Sequence, residues 1–267
     1  PPTPPPPTPP HYTFIASSAA SDVYKRQHHR PGKNRGAGPH DDASTLHTAV
    51  PITRKSLLMV YQQLFGCYGP QHWWPAESHF EVMVGAILTQ NTAWSNVEKA
   101  LANLVAHDRL DATKIIATRR DHLANWLRPS GYFNVKAVRL KNFCRWYLDA
   151  GGFGSLSGLD TTQLRQMLLS VNGVGPETAD DMLLYAFERP VFVIDAYTRR
   201  LFARLRLLAA NDSYDSLRTA IESALGPDVT VFNEYHALIV RHAKEVCRPN
   251  PRCGRCVLLG HCPEGTG

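Results

Sequence analysis

The chain has 267 residues, a formal charge of +6 and a pI near 9.1, a basic balance that favours an anionic partner. No run of about 18 apolar residues is present, which excludes a helical membrane span, and the proline-rich start is no signal peptide. The six cysteines point to metal ligation or free thiols rather than a disulfide framework.

Residues 1–50 read as a disordered tail. Residues 1–10 are nearly all proline and supply neither backbone donors nor a packed core. Residues 17–27 resemble a translated sequencing adapter, on which reading residues 1–27 are not native; a disordered basic arm is the alternative. Folded structure is expected from Pro51. Leu57, Val60, Tyr61, Leu64 and Phe65 recur at helical spacing before Gly66. After a loop containing Trp73, Trp74 and Pro75, Ser78 with Glu81 forms a capping-box signature for an apolar helix over 80–88. Thr89, Gln90, Asn91 and Thr92 interrupt that helix, and Trp94, Val97, Leu101, Leu104 and Val105 resume a helical stripe. Two short helices around Ile115 and Leu123 end at Pro129, Ser130 and Gly131. A longer one over 134–150 is expected to bury Val138, Phe143, Trp146 and Tyr147 and to stop at Gly151 and Gly152.

Asp160 is placed to cap the next helix, whose apolar face is Leu164, Met167, Leu168 and Val171. Asn172, Gly173, Val174 and Gly175 break it, and Pro176 starts another at a position where a missing N–H costs nothing. The exposed N–H groups of this tight hairpin suit a phosphate. Val191, Phe192, Val193 and Ile194 then deliver Asp195, an acid poorly placed for structure unless it caps the following helix. Helices over 214–225 and 231–243 follow, with no alternating strand pattern and no repeat, so the fold class is all-α. The tail carries Cys247, Cys253, Cys256 and Cys262 in a C-x5-C-x2-C-x5-C arrangement that can wrap one metal centre. Cys67 and Cys144 are expected to be buried helix residues, and His79, His236 and His242 packing or surface groups.

Together, the Gly173-Val174-Gly175 hairpin with Ala179, the run ending in Asp195 and the cysteine tail resemble the helix-hairpin-helix (HhH-GPD) DNA glycosylases of the endonuclease III superfamily. The resemblance spans about residues 57–262. It implies a two-domain fold in which a six-helix domain over 71–190 is inserted into a helical domain built from 51–70 and 191–267. It also implies a structural 4Fe-4S cluster on Cys247, Cys253, Cys256 and Cys262, although the first gap is one residue shorter than the commonest family form, and zinc or free thiols stay open. The implied partner is double-stranded DNA containing a damaged base, met by a monomer in the bacterial cytoplasm, associated with the nucleoid and not with a membrane.

Residue by residue, Asp195 would stabilise the cationic sugar as the base departs and activate water. Gly173, Val174 and Gly175 would hold a phosphate, Asn91 would wedge the duplex with Gln90 beside it, and Trp73, Trp74 and Pro75 resemble the aromatic floor of the 3-methyladenine glycosylases. Bifunctional members carry a lysine nucleophile where this chain has Glu177, and a histidine where it has Tyr197. A carboxylate cannot form an imine. The reading is therefore base-excision hydrolysis of the glycosidic bond of alkylated purines without an intrinsic lyase step, with Glu177 and Tyr197 in the base pocket. A bifunctional glycosylase/AP lyase for oxidised pyrimidines and a non-catalytic DNA-binding protein remain the alternatives.

Overall fold

Helix starts in this chain are written by short polar side chains. In the computed structural model, which describes residues 52–208 and 212–265, Thr53 caps α1 (Arg54–Tyr68) and Ser78 caps α2 (His79–Leu88). Glu81 donates its N–H to Ser78, but its own carboxylate turns to the Glu77 N–H, so the expected box is only half made. Helices α3 (Trp94–Ala106), α4 (Ala112–Ala117), α5 (Arg120–Trp126), α6 (Phe133–Asp149) and α7 (Gly152–Ser157) follow. Asp160 caps α8 (Thr161–Leu169) as expected, and Pro176 opens α9 (Pro176–Tyr185). Asp195, Ser213 and Asp228 cap α10 (Ala196–Arg204), α11 (Tyr214–Leu225) and α12 (Val229–Glu245). Among the described residues there are twelve α-helices, some short 3-10 turns and no strand. The readings made for residues 1–50 lie outside the described residues.

Several local expectations need correction. Gly66 does not stop α1, which continues to Tyr68 and closes on Gly69 at φ +66°. A glycine inside a helix costs only about 1 kcal/mol, which the packed face carrying Leu57, Val60 and Leu64 outweighs. Phe65, Val105 and Val138 are exposed, because each stands at the edge of its helix's apolar stripe where helical spacing alone does not decide the side. Cys67 is exposed as well, while Cys144 is buried. Gly151 and Gly152 end α6 but also lead directly into α7.

Two groups of helices pack around a shared core. In one, α12 lies on α1 and α10, and α11 lies on α1; in the other, α6 packs on α4 and α5, and α2 packs on α3, α6 and α9. The hairpin helix α9 also touches α12 and so bridges the groups. Fully buried Tyr235 of α12 donates to the Leu57 carbonyl at 2.9 Å and stands edge-on to Phe192.

Residues 191–194 are buried, extended and without a sheet partner, so their N–H groups need other acceptors. Glu222 of α11 accepts from the Phe192 N–H at 2.9 Å, and the Tyr214 hydroxyl accepts from the Ile194 N–H at 3.3 Å. Glu222 is held in turn by Arg218, which also stands 3.8 Å from fully buried Asp180 of α9. Arg165 of α8 completes the network with two bonds to Asp180, at 2.7 and 3.1 Å, and one to Asp215 at 2.8 Å. A buried carboxylate therefore ties the hairpin to the helix that holds the run before Asp195. Replacing Asp180 by Ala leaves two guanidinium groups without their buried counter-charge. We expect a loss of about 3 kcal/mol of stability in urea unfolding, the scale of breaking a buried ion pair from one side.

Candidate active site and cysteine loop

The site is built where the N-terminus of α10 meets α9 and α12. Asp195 is buried; its Oδ1 accepts the Thr198 N–H at 2.6 Å, and its Oδ2 lies 3.5 Å from His236 Nε2. Burial alone would raise its pKa, but His236 and the Thr198 N–H outweigh burial and hold the carboxyl below its ordinary value. The positive end of the helix dipole acts in the same direction. Two further acids, Glu177 and Asp181, stand one turn apart on α9. Asp181 is pushed well above the ordinary range by burial and by the charges of Glu177 and Asp195. Glu177 is exposed in the first turn of α9; desolvation followed by the Asp195 charge pushes its carboxyl up to about 8, and contact with water weakens that push. Of three neighbouring carboxyls, Asp195 keeps the negative charge and the other two tend to hold protons.

Aromatic rings wall the cleft. Trp74 meets Trp94 edge-on at 4.7 Å and Tyr185 of α9 at 5.1 Å, and Trp73 lies 6.0 Å from both Trp74 and Trp94. Gly85 of α2 makes room for them, since a Cβ there would stand 3.1 Å from Trp74. The Trp74 indole N–H is buried without a hydrogen-bond partner. Pro75 is exposed at the rim. Tyr197 is half-buried, with Arg200 over its ring at 5.2 Å and Lys244 of α12 at 5.7 Å; Lys244 also lies 5.9 Å from the Trp73 ring. Burial lowers the Lys244 pKa, against the pull of Asp195 and Glu98.

The hairpin leads directly into the first turn of α9. Gly173 has φ +100°, and a Cβ there would run into the side chain of Arg139, so this position needs glycine twice over. Val174 is buried. Gly175 is different: its φ is −98°, nothing lies near its added Cβ, and as N-cap of α9 it offers no side-chain cap. The start of α9 is thus left without a side-chain cap, as an anion-binding helix start requires. Gln90 does not project from the break after α2. It turns inward, its amide donating to the Gly173 carbonyl at 2.9 Å and to Thr178 Oγ1 at 3.0 Å while Arg139 donates to its oxygen. Asn91, by contrast, is exposed with φ +55°, a conformation few side chains adopt. Tyr132, at φ +47° and 64% exposed, is a second such residue. Buried Lys136 ties together the segments just before them, donating to Leu88 O at 2.8 Å and Ser130 O at 2.6 Å.

In the tail, Cys247, Cys253, Cys256 and Cys262 line one cavity of about 260 Å³ together with Arg204, Pro251 and Glu264. Arg204 donates to Cys247 Sγ at 3.2 Å and to the Arg248 and Pro249 carbonyls, and His242 Nε2 lies 3.4 Å from Cys256 Sγ. Among the described residues no three His, Cys, Asp or Glu side chains converge tightly enough for a single metal ion. The thiols ring a space larger than one ion. Arg252 and Arg255 are exposed around it.

Residues 84–227 match the model of the HhH-GPD superfamily base excision DNA repair proteins. The chain belongs to the HhH-GPD superfamily. It is 45% identical over 208 residues to a provisionally named DNA repair glycosylase of Methanocaldococcus jannaschii, covering 76% of this chain and 94% of that one. A 3-methyladenine DNA glycosylase of H. pylori, solved bound to 1,N6-ethenoadenine, aligns with a TM-score of 0.63 and 28% identity over 73% of this chain and 98% of its own. A non-covalent endonuclease III–DNA complex gives 0.69 and 20% identity over 80% and 97%, a likeness of fold. The endonuclease III-like, all-helical fold and a base-excision repair DNA glycosylase follow from these matches.

Within this HhH-GPD glycosylase, the fold gathers Asp195, Glu177, Tyr197, Trp73 and Trp74 in one cleft; Gly173, Val174 and Gly175 stand just ahead of Glu177 on the chain, and Asn91 follows Gln90, which bonds to the hairpin. Asp181, Tyr185, His236 and Lys244 join that cleft, and sequence reading had no local signal for them. The i, i+4, i+8 column of Glu177, Asp181 and Tyr185 was the one available clue. The two hairpin glycines should separate in experiment. Gly173→Ala is expected to cost about 2–4 kcal/mol in thermal or urea unfolding, from left-handed strain plus overpacking. Gly175→Ala should fold within about 0.5 kcal/mol of wild type yet bind duplex DNA at least about fivefold more weakly.

Proposed function

We propose that this protein hydrolyses the N-glycosidic bond of alkylated purines in double-stranded DNA and leaves the strand intact. The observation that carries the reading is Glu177, an acid with a raised pKa facing Asp195 from the position where bifunctional members carry their lysine. The likeness to a 3-methyladenine glycosylase supports the substrate class.

The residues divide the work as follows. The open N–H groups of α9 beside Gly175 hold a phosphate, while Asn91 and Tyr132 enter the gap left by the extruded base. The base stacks against Trp73, Trp74 and Tyr197. As the glycosidic bond breaks, its electron pair leaves with the purine, and protonated Glu177 supplies a proton to that leaving group. Ionised Asp195 stabilises the positive sugar, and water bonds to the anomeric carbon as Asp195 takes its proton. Helix α1 with α10, α11 and α12 corresponds to the domain that carries the cysteine loop, and α2 to α9 to the inserted one.

Cys247, Cys253, Cys256 and Cys262 would hold a 4Fe-4S cluster, for which the shared cavity and the Arg204 N–H donor are suited. Bound there, the cluster would cross-link the loop through its four thiolates. The purified protein should absorb near 400 nm (about) with four irons per chain, as thiolate-ligated clusters do; a colourless zinc protein would refute this assignment.

On methylated duplexes we expect free alkylpurine, strand breaks only after alkali, and no borohydride-trapped adduct. Asp195→Asn should still bind lesion DNA but release base about 100-fold more slowly. Glu177 acts while protonated, so release should decline as pH rises through its raised pKa, no higher than about 8, and Glu177→Gln should remove that alkaline decline. One observation favours a second reading. Lys244, in the same cleft with a lowered pKa, has the character of an amine nucleophile. Borohydride trapping of wild type but not of Lys244→Ala would establish a lyase and displace the monofunctional reading.

A further inference from the structure

Behind the catalytic carboxylate lies a buried chain of contacts that reaches back to the aromatic wall. The Trp74 ring packs on Tyr185 at 5.1 Å, the Tyr185 hydroxyl bonds to His236 Nδ1, and His236 Nε2 faces Asp195 Oδ2 at 3.5 Å. Tyr185 and His236 are both buried, at 8% and 5% exposure, and they come from α9 and α12, while Asp195 heads α10. Burial keeps the Tyr185 phenol protonated, so it carries an O–H able to donate to Nδ1. A neutral imidazole that accepts at Nδ1 carries its proton on Nε2, the nitrogen aimed at Asp195. That N–H has no partner at ordinary hydrogen-bond length. A buried donor left short of its acceptor is costly and calls for an explanation. Here a movement of a few tenths of an ångström would close the bond.

We infer that Tyr185 and His236 form a positioning relay: Tyr185 locks the His236 tautomer so that Nε2–H holds Asp195 ionised and oriented, and a base stacked on Trp74 presses the relay closed. Neither residue touches the sugar. The inference rests on the proposed function for its catalytic consequence, but the tautomer lock is a property of the free protein. It also links occupancy of the pocket to the readiness of Asp195, which gives the enzyme a way to favour bases that fill the space against Trp74.

Tyr185→Phe keeps the ring against Trp74 and removes only the hydroxyl. Single-turnover base release at saturating enzyme should fall about tenfold, the scale of one hydrogen bond to a charged group, with lesion binding within about twofold of wild type. The acid limb of the rate profile should move to higher pH, because Asp195 loses support for its ionised form. Glu177 and Asp181 on α9, Tyr197 and Arg200 on α10 and Lys244 on α12 also face Asp195 and are unchanged in this variant. In a His236→Gln background the amide N–H donates without any tautomer, so adding Tyr185→Phe should have no further effect.

Nitrogen-15 NMR of the imidazole supplies a readout independent of activity. Wild type should show Nε2 protonated and Nδ1 bare, and Tyr185→Phe a mixture; thermal melts exclude simple unfolding. An unmoved acid limb, equal losses from Tyr185→Phe in both backgrounds, or a protonated Nδ1 in neutral wild-type protein would overturn the relay. If wild type releases no base from any methylated duplex while the NMR signature holds, the proposed function fails and the relay stands.

Discussion

A carboxylate removed from water must be kept charged by its surroundings, and the arrangement of this molecule follows from meeting that condition at Asp195. Desolvation of an isolated carboxylate favours its protonated form. The same acid becomes a usable anion because it caps α10 and faces an imidazole, while Asp181 and Glu177 beside it yield their charge. The asymmetry among the three is geometric: Asp195 caps its helix by accepting the Thr198 N–H and also has His236 within reach.

Positioning that anion takes both helix groups. The chain approaches Asp195 through an extended, buried run with no sheet to receive its N–H groups, and α11 receives them through Glu222 and Tyr214. The buried ion network around Asp180 then fixes α11 to the hairpin helix. At its far end α10 reaches the cysteine loop, where Arg200 bonds to the Cys247 and Ala243 carbonyls and Arg204 to Cys247 Sγ and two further carbonyls. One short helix thus joins the acid to the thiols, so that order in the cysteine loop bears on the placing of Asp195.

The parts legible in the sequence were those whose partners are close along the chain. Caps at Asp160 and Ser78, the glycine hairpin, the apolar run and the four cysteines all announce themselves within a few residues. What was hidden depended on packing. His236 and Lys244 look like any polar residues on α12 until that helix is laid beside α9 and α10. Gln90 and Asn91 are neighbours with similar side chains, yet one points into the hairpin and the other to solvent, a choice made by Arg139 and Thr178 from distant segments. Phe65, Val105 and Val138 failed for a related reason, since an apolar residue at the edge of a helical stripe is buried only if a neighbour arrives to cover it.

The inward turn of Gln90 has a consequence for the nucleic acid. Its bonds to Gly173 and Thr178 weld the loop bearing Asn91 to the turn bearing Gly175. On the proposed assignment these are the two jaws that touch the duplex, and their spacing is fixed like that of a caliper. The duplex must then bend and unstack to fit the gauge, at an elastic cost that depends on the step being deformed. Sites already weakened by damage meet that cost most easily. Part of the discrimination between sound and injured DNA would then be mechanical, made by the stiffness of the double helix before any base reaches the aromatic wall.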